Sequence, residues 1–199
     1  MAHLARAEDL IGQVLTASPL DPLAHNAKGG VLRVQGRPEE AIAEFEAVLA
    51  FDRNSTNALF QLGWCKAMTG SLDEVIPLAE QLIRLSPRDP ALANWYVRIG
   101  WVHLLQSRLE EAIFWLEKSR SANPRFMLPY AYLASACALK GGTERAAAHL
   151  AEARKLAVDG RYSSLARLKD SQYWGVPKIR ALFEATYFAG LRKAGMPEE

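Results

Sequence analysis

Small and bulky apolar positions recur along this chain at a nearly constant step. Setting the phrase EEAIAEF, Glu39–Phe45, against EEAIFWL, Glu110–Leu116, aligns small residues at Ala7, Ala41, Val75, Ala112 and Ala146, spaced by 34, 34, 37 and 34 residues. Four residues further on stand Ile11, Phe45, Ala79, Leu116 and Leu150, most of them bulky. An earlier small position recurs at Gly29, Gly63, Gly100 and Ala134, and a turn position at Gly36, Gly70, Ser107 and Gly141. Proline closes the unit at Pro19, Pro87 and Pro124, where it blocks continuation of a helix, while Arg53 and Val158 stand at the two remaining ends. Apolar residues spaced by threes and fours between these marks predict paired helices throughout and an all-α fold.

Packing explains the pattern. A small residue such as Gly63 or Gly100 lets two helices approach closely, and a bulky residue such as Phe45 or Leu116 fills the adjoining space. One hairpin cannot bury its apolar face alone, so successive hairpins stack on one another. The spacing divides residues 1–160 into a half repeat over 4–21 and full repeats over about 22–55, 56–89, 90–126 and 127–160. Three departures stand out. The chain opens on what reads as a second helix, Leu4 to Ser18, so a preceding first helix is expected upstream and the chain reads as part of a longer protein. Three extra residues between Pro87 and Gly100 predict a lengthened helix around Ala91–Leu105. Pro77, inside a second helix, predicts a slight bend there.

The pattern decays after Gly160. RYSSLARLKD suggests a short helix, and SQYWGVP, Ser171–Pro177, reads as a loop. A longer helix is predicted from Pro177 to about Ala194, stopped by Gly195, with Ile179, Leu182, Phe183, Tyr187 and Leu191 on one face. Residues 161–199 are therefore expected to be capping helices. The same helix also has the character of one that docks in a groove of its own or of a neighbouring chain.

Together these marks resemble the tetratricopeptide (TPR) repeat, a helix–turn–helix unit of about 34 residues with small residues at the crossing. The resemblance covers about residues 4–159 and implies a right-handed superhelix, an α-solenoid whose first helices line a concave groove. Carried over position by position, the groove-lining side chains are Asn26, Gly30 and Arg33, then Asn57, Phe60, Gln61, Trp64 and Ala67. The next two units supply Asn94, Val97, Arg98, Trp101 and Leu104, then Leu128, Ala131, Tyr132, Ser135 and Ala138. Trp64 and Trp101 correspond and are expected to form one aromatic patch. Asn57 and Asn94 offer amides to an extended backbone, and Arg33 and Arg98 offer charge to an acidic group. The alternative is that the tryptophans pack between first helices or lie beneath the C-terminal helix. Gly30 and Phe60 break the pattern that clamps a free C-terminal carboxylate in some TPR proteins.

The final phrase ATYFAGLRKAGMPEE, Ala185–Glu199, resembles the end of a group of bacterial class III adenylate/guanylate cyclases in which TPR repeats follow the catalytic domain. That resemblance implies a cyclase parent whose catalytic aspartates lie outside these residues.

Composition narrows the chemistry. Half of the 199 residues are hydrophobic, and 24 basic against 22 acidic residues leave a formal charge of +2, too balanced to point to a nucleic acid. No apolar run approaches the roughly 20 residues that cross a bilayer, and the N-terminus lacks the apolar core of a secretory signal. Cys65 and Cys137 read as buried reduced thiols of a cytoplasmic protein. His3, His25, His103 and His149 show no metal-ligand spacing, and neither a phosphate-binding loop nor a nucleophile motif is present. Glu39/Glu40 and Glu110/Glu111 stand where they favour a helix dipole, as Arg192/Lys193 do near a helix end. The reading is therefore a non-catalytic module without cofactor or metal, which binds a protein or peptide. The alternative is self-association of the same parent into a homo-oligomer.

Overall fold

The computed structural model describes residues 2–199, with side chains from Leu4 onward, so the reading of His3 falls outside it. The chain divides into two compact units, Met1–Leu85 and Ser86–Glu199. Every regular element among the described residues is helical.

The first unit holds α1 (Ala2–Ala17), α2 (Pro22–Val34), α3 (Pro38–Phe51), α4 (Thr56–Thr69) and α5 (Leu72–Leu85). Asp21 caps α2 by accepting from the Ala24 amide at 2.8 Å, with Pro22 in the first helical position, where its missing N–H costs nothing. Glu39 and Glu40 occupy the first turn of α3. The α2–α3 hairpin closes because Gly29 lacks a side chain: a Cβ there would lie 2.8 Å from the Phe45 ring. Phe45 is fully buried in a core that includes Leu32, Ala41, Val48, Ala58, Leu62 and Cys65. Pro77 sits inside α5, which remains one helix from Leu72 to Leu85.

The second unit begins with two more hairpins, α6 (Leu92–Leu105) with α7 (Leu109–Ala122) and α8 (Met127–Leu139) with α9 (Thr143–Leu156). The small-to-bulky pairing repeats in the first of them. A Cβ on Gly100 would lie 2.6 Å from Cγ of Leu116, which is itself fully buried. Ser119 ties the same hairpin, its hydroxyl donating to the Ala93 carbonyl at 2.7 Å.

The three extra residues before Gly100 do not lengthen the helix, contrary to expectation. Both α4 and α6 are 14 residues long: the turn from Ser86 to Ala91, six residues against four at Asp52–Ser55, takes up two of the three, and the third lies before Gly100 in α6, which ends one residue sooner after it. Two prolines, Pro87 and Pro90, bias their predecessors away from helical backbone. The Asp89 carboxylate then bonds the Ala91 amide at 2.6 Å, which satisfies the turn locally.

Beyond α9 come a 3₁₀ turn at Arg161–Ser163, α10 (Leu165–Asp170), α11 (Pro177–Phe183), a π-helical turn at Glu184–Phe188 and α12 (Ala189–Lys193). The last three run on as one C-terminal helix. It ends at Gly195, whose φ of 90° suits glycine and lets the Met196 amide return to the Leu191 carbonyl at 3.0 Å.

Candidate interaction surfaces

In the first unit the groove positions lie on α2 and α4. They pair across the two helices with one register, each partner 31 residues beyond the other. Asn57 Nδ2 donates to Asn26 Oδ1 at 3.1 Å. The Arg33 guanidinium lies 5.3 Å from the centre of the Trp64 ring. Asn57 is exposed, and Asn26, Arg33, Phe60, Gln61 and Trp64 are half-buried. The indole packs on the core beside Leu62 and Cys65 and keeps part of its surface outward. This strip therefore offers amides, a guanidinium and an aromatic ring on a rigid base of paired helices.

A charged cluster locks the same unit from the side. His25 Nδ1 contacts Glu44 Oε2 at 2.6 Å, His25 Nε2 contacts the Pro19 carbonyl at 2.9 Å, and Lys28 Nζ reaches Glu44 Oε1 at 2.8 Å. Both acceptors lack a proton, so the geometry calls for an imidazolium that donates from both nitrogens. The Glu44 bond accordingly raises the His25 pKa. Burial pushes the Glu44 carboxyl upward, but its bonds from Lys28 and His25 outweigh this and hold it below the usual carboxylate range.

In the second unit the corresponding positions are on α6 and α8, and the chain's own C-terminal helix covers most of them. Trp101 is 7% exposed and stacks on Phe183, with centroids 5.8 Å apart and 27° between planes. Tyr132 is 6% exposed, and its ring centre lies 4.4 Å from that of Tyr187. Arg98 is buried, and Asn94 is half-buried. Burial raises the Tyr132 phenol well above its ordinary range and pushes Tyr162, beneath the same helix, up to about 12. The open aromatic patch expected at Trp101 is thus replaced by the covered arrangement that the sequence had left as its alternative. The reason is area: Ile179, Phe183, Tyr187 and Leu191 are each at most 2% exposed, so the helix buries four of the five residues of its expected apolar face there, with Leu182 half-buried.

Two features of this cover escaped the sequence reading. The π turn adds a residue to one helical turn and brings Phe188 and Tyr187 inward together, both at most 3% exposed. Trp174, from the loop before α11, wedges against Phe183 and Phe188 at 4.9 and 5.0 Å. The helix also meets α8 at very short range. A Cβ on Gly190 would lie 2.1 Å from Ser135 Oγ, and that hydroxyl donates to the Thr186 carbonyl at 3.3 Å. Ser135 stood among the groove positions read from the sequence; nothing in the sequence marked Gly190 as its partner.

The last residues fasten the cover. The Leu165 and Ala166 amides at the start of α10 donate to the Pro197 and Glu198 carbonyls, each at 2.9 Å. Glu184 pairs with Lys169 at 2.8 Å and with Arg192 at 2.6 Å, and Arg192 also bonds Glu198. Arg192 therefore bridges carboxylates as well as standing in the last turn of α12.

Cys65 and Cys137 are buried and form no disulfide. Among the described residues, no three His, Cys, Asp or Glu side chains are grouped to hold a metal ion. No described helix is long and apolar enough to cross a membrane.

Comparison with known proteins places this geometry. Residues 1–58 and residues 32–99 match two family models, both described as tetratricopeptide repeat. No curated protein matches the sequence. Among solved structures, one of MamA is similar at 24% identity over 73% of this chain and 84% of that one, with a TM-score of 0.65. PilF of Pseudomonas aeruginosa is similar at 16% identity over 98% of this chain and 85% of that one, with a TM-score of 0.70. YrrB, described as a TPR protein with an unusual peptide-binding site, is similar at 14% identity over 87% of this chain and 89% of that one, with a TM-score of 0.59. Residues 1–99 thus match tetratricopeptide-repeat models by sequence, and the chain has the all-helical fold of the TPR proteins.

Proposed function

We propose that this chain is a non-catalytic binding module that takes a peptide or protein segment on the α2–α4 face of its first unit. The observation that carries this reading is the in-register pairing of Asn26 with Asn57 and of Arg33 with Trp64. Rows of amides, an arginine and a partly exposed indole suit an extended segment, whose backbone they bond and whose side chains they grip. The similarity to YrrB supports the same reading. Residues Arg98, Trp101 and Tyr132, which lie under the C-terminal helix, serve the second unit's stability in this proposal, and Asn94 is left at its margin.

The test is selection of peptides from a displayed random library on the intact chain, repeated with Trp64→Ala and with Asn57→Ala. Selected peptides should bind the wild type and lose at least tenfold in affinity on Trp64→Ala, while helix content by circular dichroism is unchanged. Equal binding to wild type and Trp64→Ala would remove the assignment.

The terminal phrase Ala185–Glu199 supports a finer setting, the regulatory or scaffolding region of a bacterial, cytoplasmic class III cyclase engaged in signalling. An open reading frame that encodes a cyclase domain ahead of these residues tests that setting directly. A second reading, self-association, is favoured by Leu20 and Leu23, which are 84% and 79% exposed beside the half-exposed Leu10 and Val14. Sedimentation of wild type against Leu20→Ser/Leu23→Ser separates the two, since only self-association predicts a change in mass.

A further inference from the structure

The second unit carries an aromatic cluster on α6 and α7, away from the covered face. Lys118 Nζ lies 4.5 Å from the centre of the Phe114 ring, 4.6 Å from that of Trp115 and 5.9 Å from that of Tyr96. The rings are set around one point. Phe114 stands edge-on to Trp115 at 5.5 Å with 80° between planes, and Tyr96 lies 5.8 Å from Trp115. Phe114 is 55% exposed, Lys118 is exposed, and Tyr96 and Trp115 are half-buried, so the point opens to water.

Core packing accounts for Tyr96 and Trp115, whose equivalents Tyr130 and His149 also lie ring to ring, at 6.2 Å, but not for the outer members Phe114 and Lys118. At the positions equivalent to Phe114, the other second helices carry Asp9, Ala43, Pro77 and Ala148; at those equivalent to Lys118 they carry Gln13, Ala47, Gln81 and Glu152. The repeat closes its core without rings there. The negative faces of three rings attract a cation at their common focus, and the resident ammonium shows that a cation fits. Lys118 makes no ion pair with a carboxylate among the described residues, so the rings alone hold its charged end.

We propose that Tyr96, Phe114 and Trp115 form a receptor for a methylated ammonium group, with Lys118 as its tethered resident. A primary ammonium is compact and strongly hydrated, and an exposed one gains little from the rings. A trimethylated nitrogen sheds its water more readily and fills the space between the rings with methyl groups. The ligand class is therefore a quaternary ammonium, either a small organic cation of the choline type or a trimethylated lysine on a peptide. The incoming cation displaces Lys118, which swings into solvent on its flexible stem.

The experiment is an NMR titration of the intact chain that follows the Trp115 indole N–H. The probes are tetramethylammonium, choline, a short trimethyl-lysine peptide, and the neutral isostere of choline with carbon in place of nitrogen. Lys118→Met should bind the three cations saturably, about two- to fivefold more tightly than wild type, because the competing tethered cation is gone. The neutral isostere should bind at least tenfold more weakly. Adding Phe114→Ala to Lys118→Met, a change at an exposed ring that leaves the fold intact, should weaken binding of the cations relative to Lys118→Met alone. Tighter binding of the peptide than of choline assigns the site to a modified lysine; the reverse order assigns it to a small cation. Absence of saturable binding of any cation to Lys118→Met, or equal binding of choline and its neutral isostere, overturns the proposal.

Discussion

Phe183 stacks on Trp101, and this one contact joins the C-terminal helix to the face of α6 that the repeat pattern assigns to ligands. Phe183 is 2% exposed and also meets Trp174, so its ring is central to the cover. Phe183→Ala should cost about 3–5 kcal/mol, the ordinary loss for a buried phenylalanine. Urea unfolding measures this, and tryptophan emission should shift to the red as Trp101 and Trp174 gain water. A loss under about 1 kcal/mol would mean that the helix is not packed as described.

Glycine-to-alanine changes read close approach directly. Gly190→Ala places a methyl group against Ser135, where the nearest atoms include backbone at 2.5 Å that has nowhere to go. The expected loss is more than about 2 kcal/mol. Gly12→Ala, on α1, meets nothing within 4 Å and should instead gain about 0.5–1 kcal/mol from helix propensity. Similar effects at the two sites would contradict the geometry.

Ser107 occupies the turn position that Gly36, Gly70 and Gly141 fill in the other hairpins, and it adopts a φ of 59°. A side chain in left-handed backbone is strained, and glycine is not. Ser107→Gly should stabilise the chain by about 0.5–1 kcal/mol, seen as a higher urea midpoint at unchanged slope.

His25 and Glu44 give a pH signature with a definite sign. The folded pKa of His25 lies above its ordinary 6.5, so its stabilising effect is fully present below that value and fades as the pH rises through the folded pKa. The folded pKa of Glu44 lies below its ordinary 4.5, so its effect is present above that value and fades on acidification. The pair contributes most between these limits. His103 and His149 oppose it, because burial lowers both and favours folding with neutral rings at higher pH. The useful quantity is therefore the stability difference between wild type and His25→Gln. It should be largest near pH 5.5 and shrink towards pH 8. A difference independent of pH would show that His25 is not the charged partner.

The repeat's small and bulky positions were legible along the chain because packing at a helix crossing is a local demand. Gly29 with Phe45 and Gly100 with Leu116 are each within about one hairpin of sequence, and their spacing alone announces the contact. The C-terminal helix was legible for the same reason: proline starts it, glycine stops it and one apolar face runs between. The length of α6 was misread because counting residues between landmarks cannot tell a longer helix from a longer turn. Pro90 and the Asp89 carboxylate made it the turn.

Sequence by itself determined the helical hairpins, their step and the residue types on each face, since these follow from periodicity over a few turns. Tertiary structure alone decided which faces stay open. Trp64 and Trp101 come from equivalent positions, yet the first indole keeps part of its surface outward and the second lies under Phe183. The difference arises from residues about 80 positions downstream of Trp101, and no local pattern records where a distant apolar helix finds the largest area to bury.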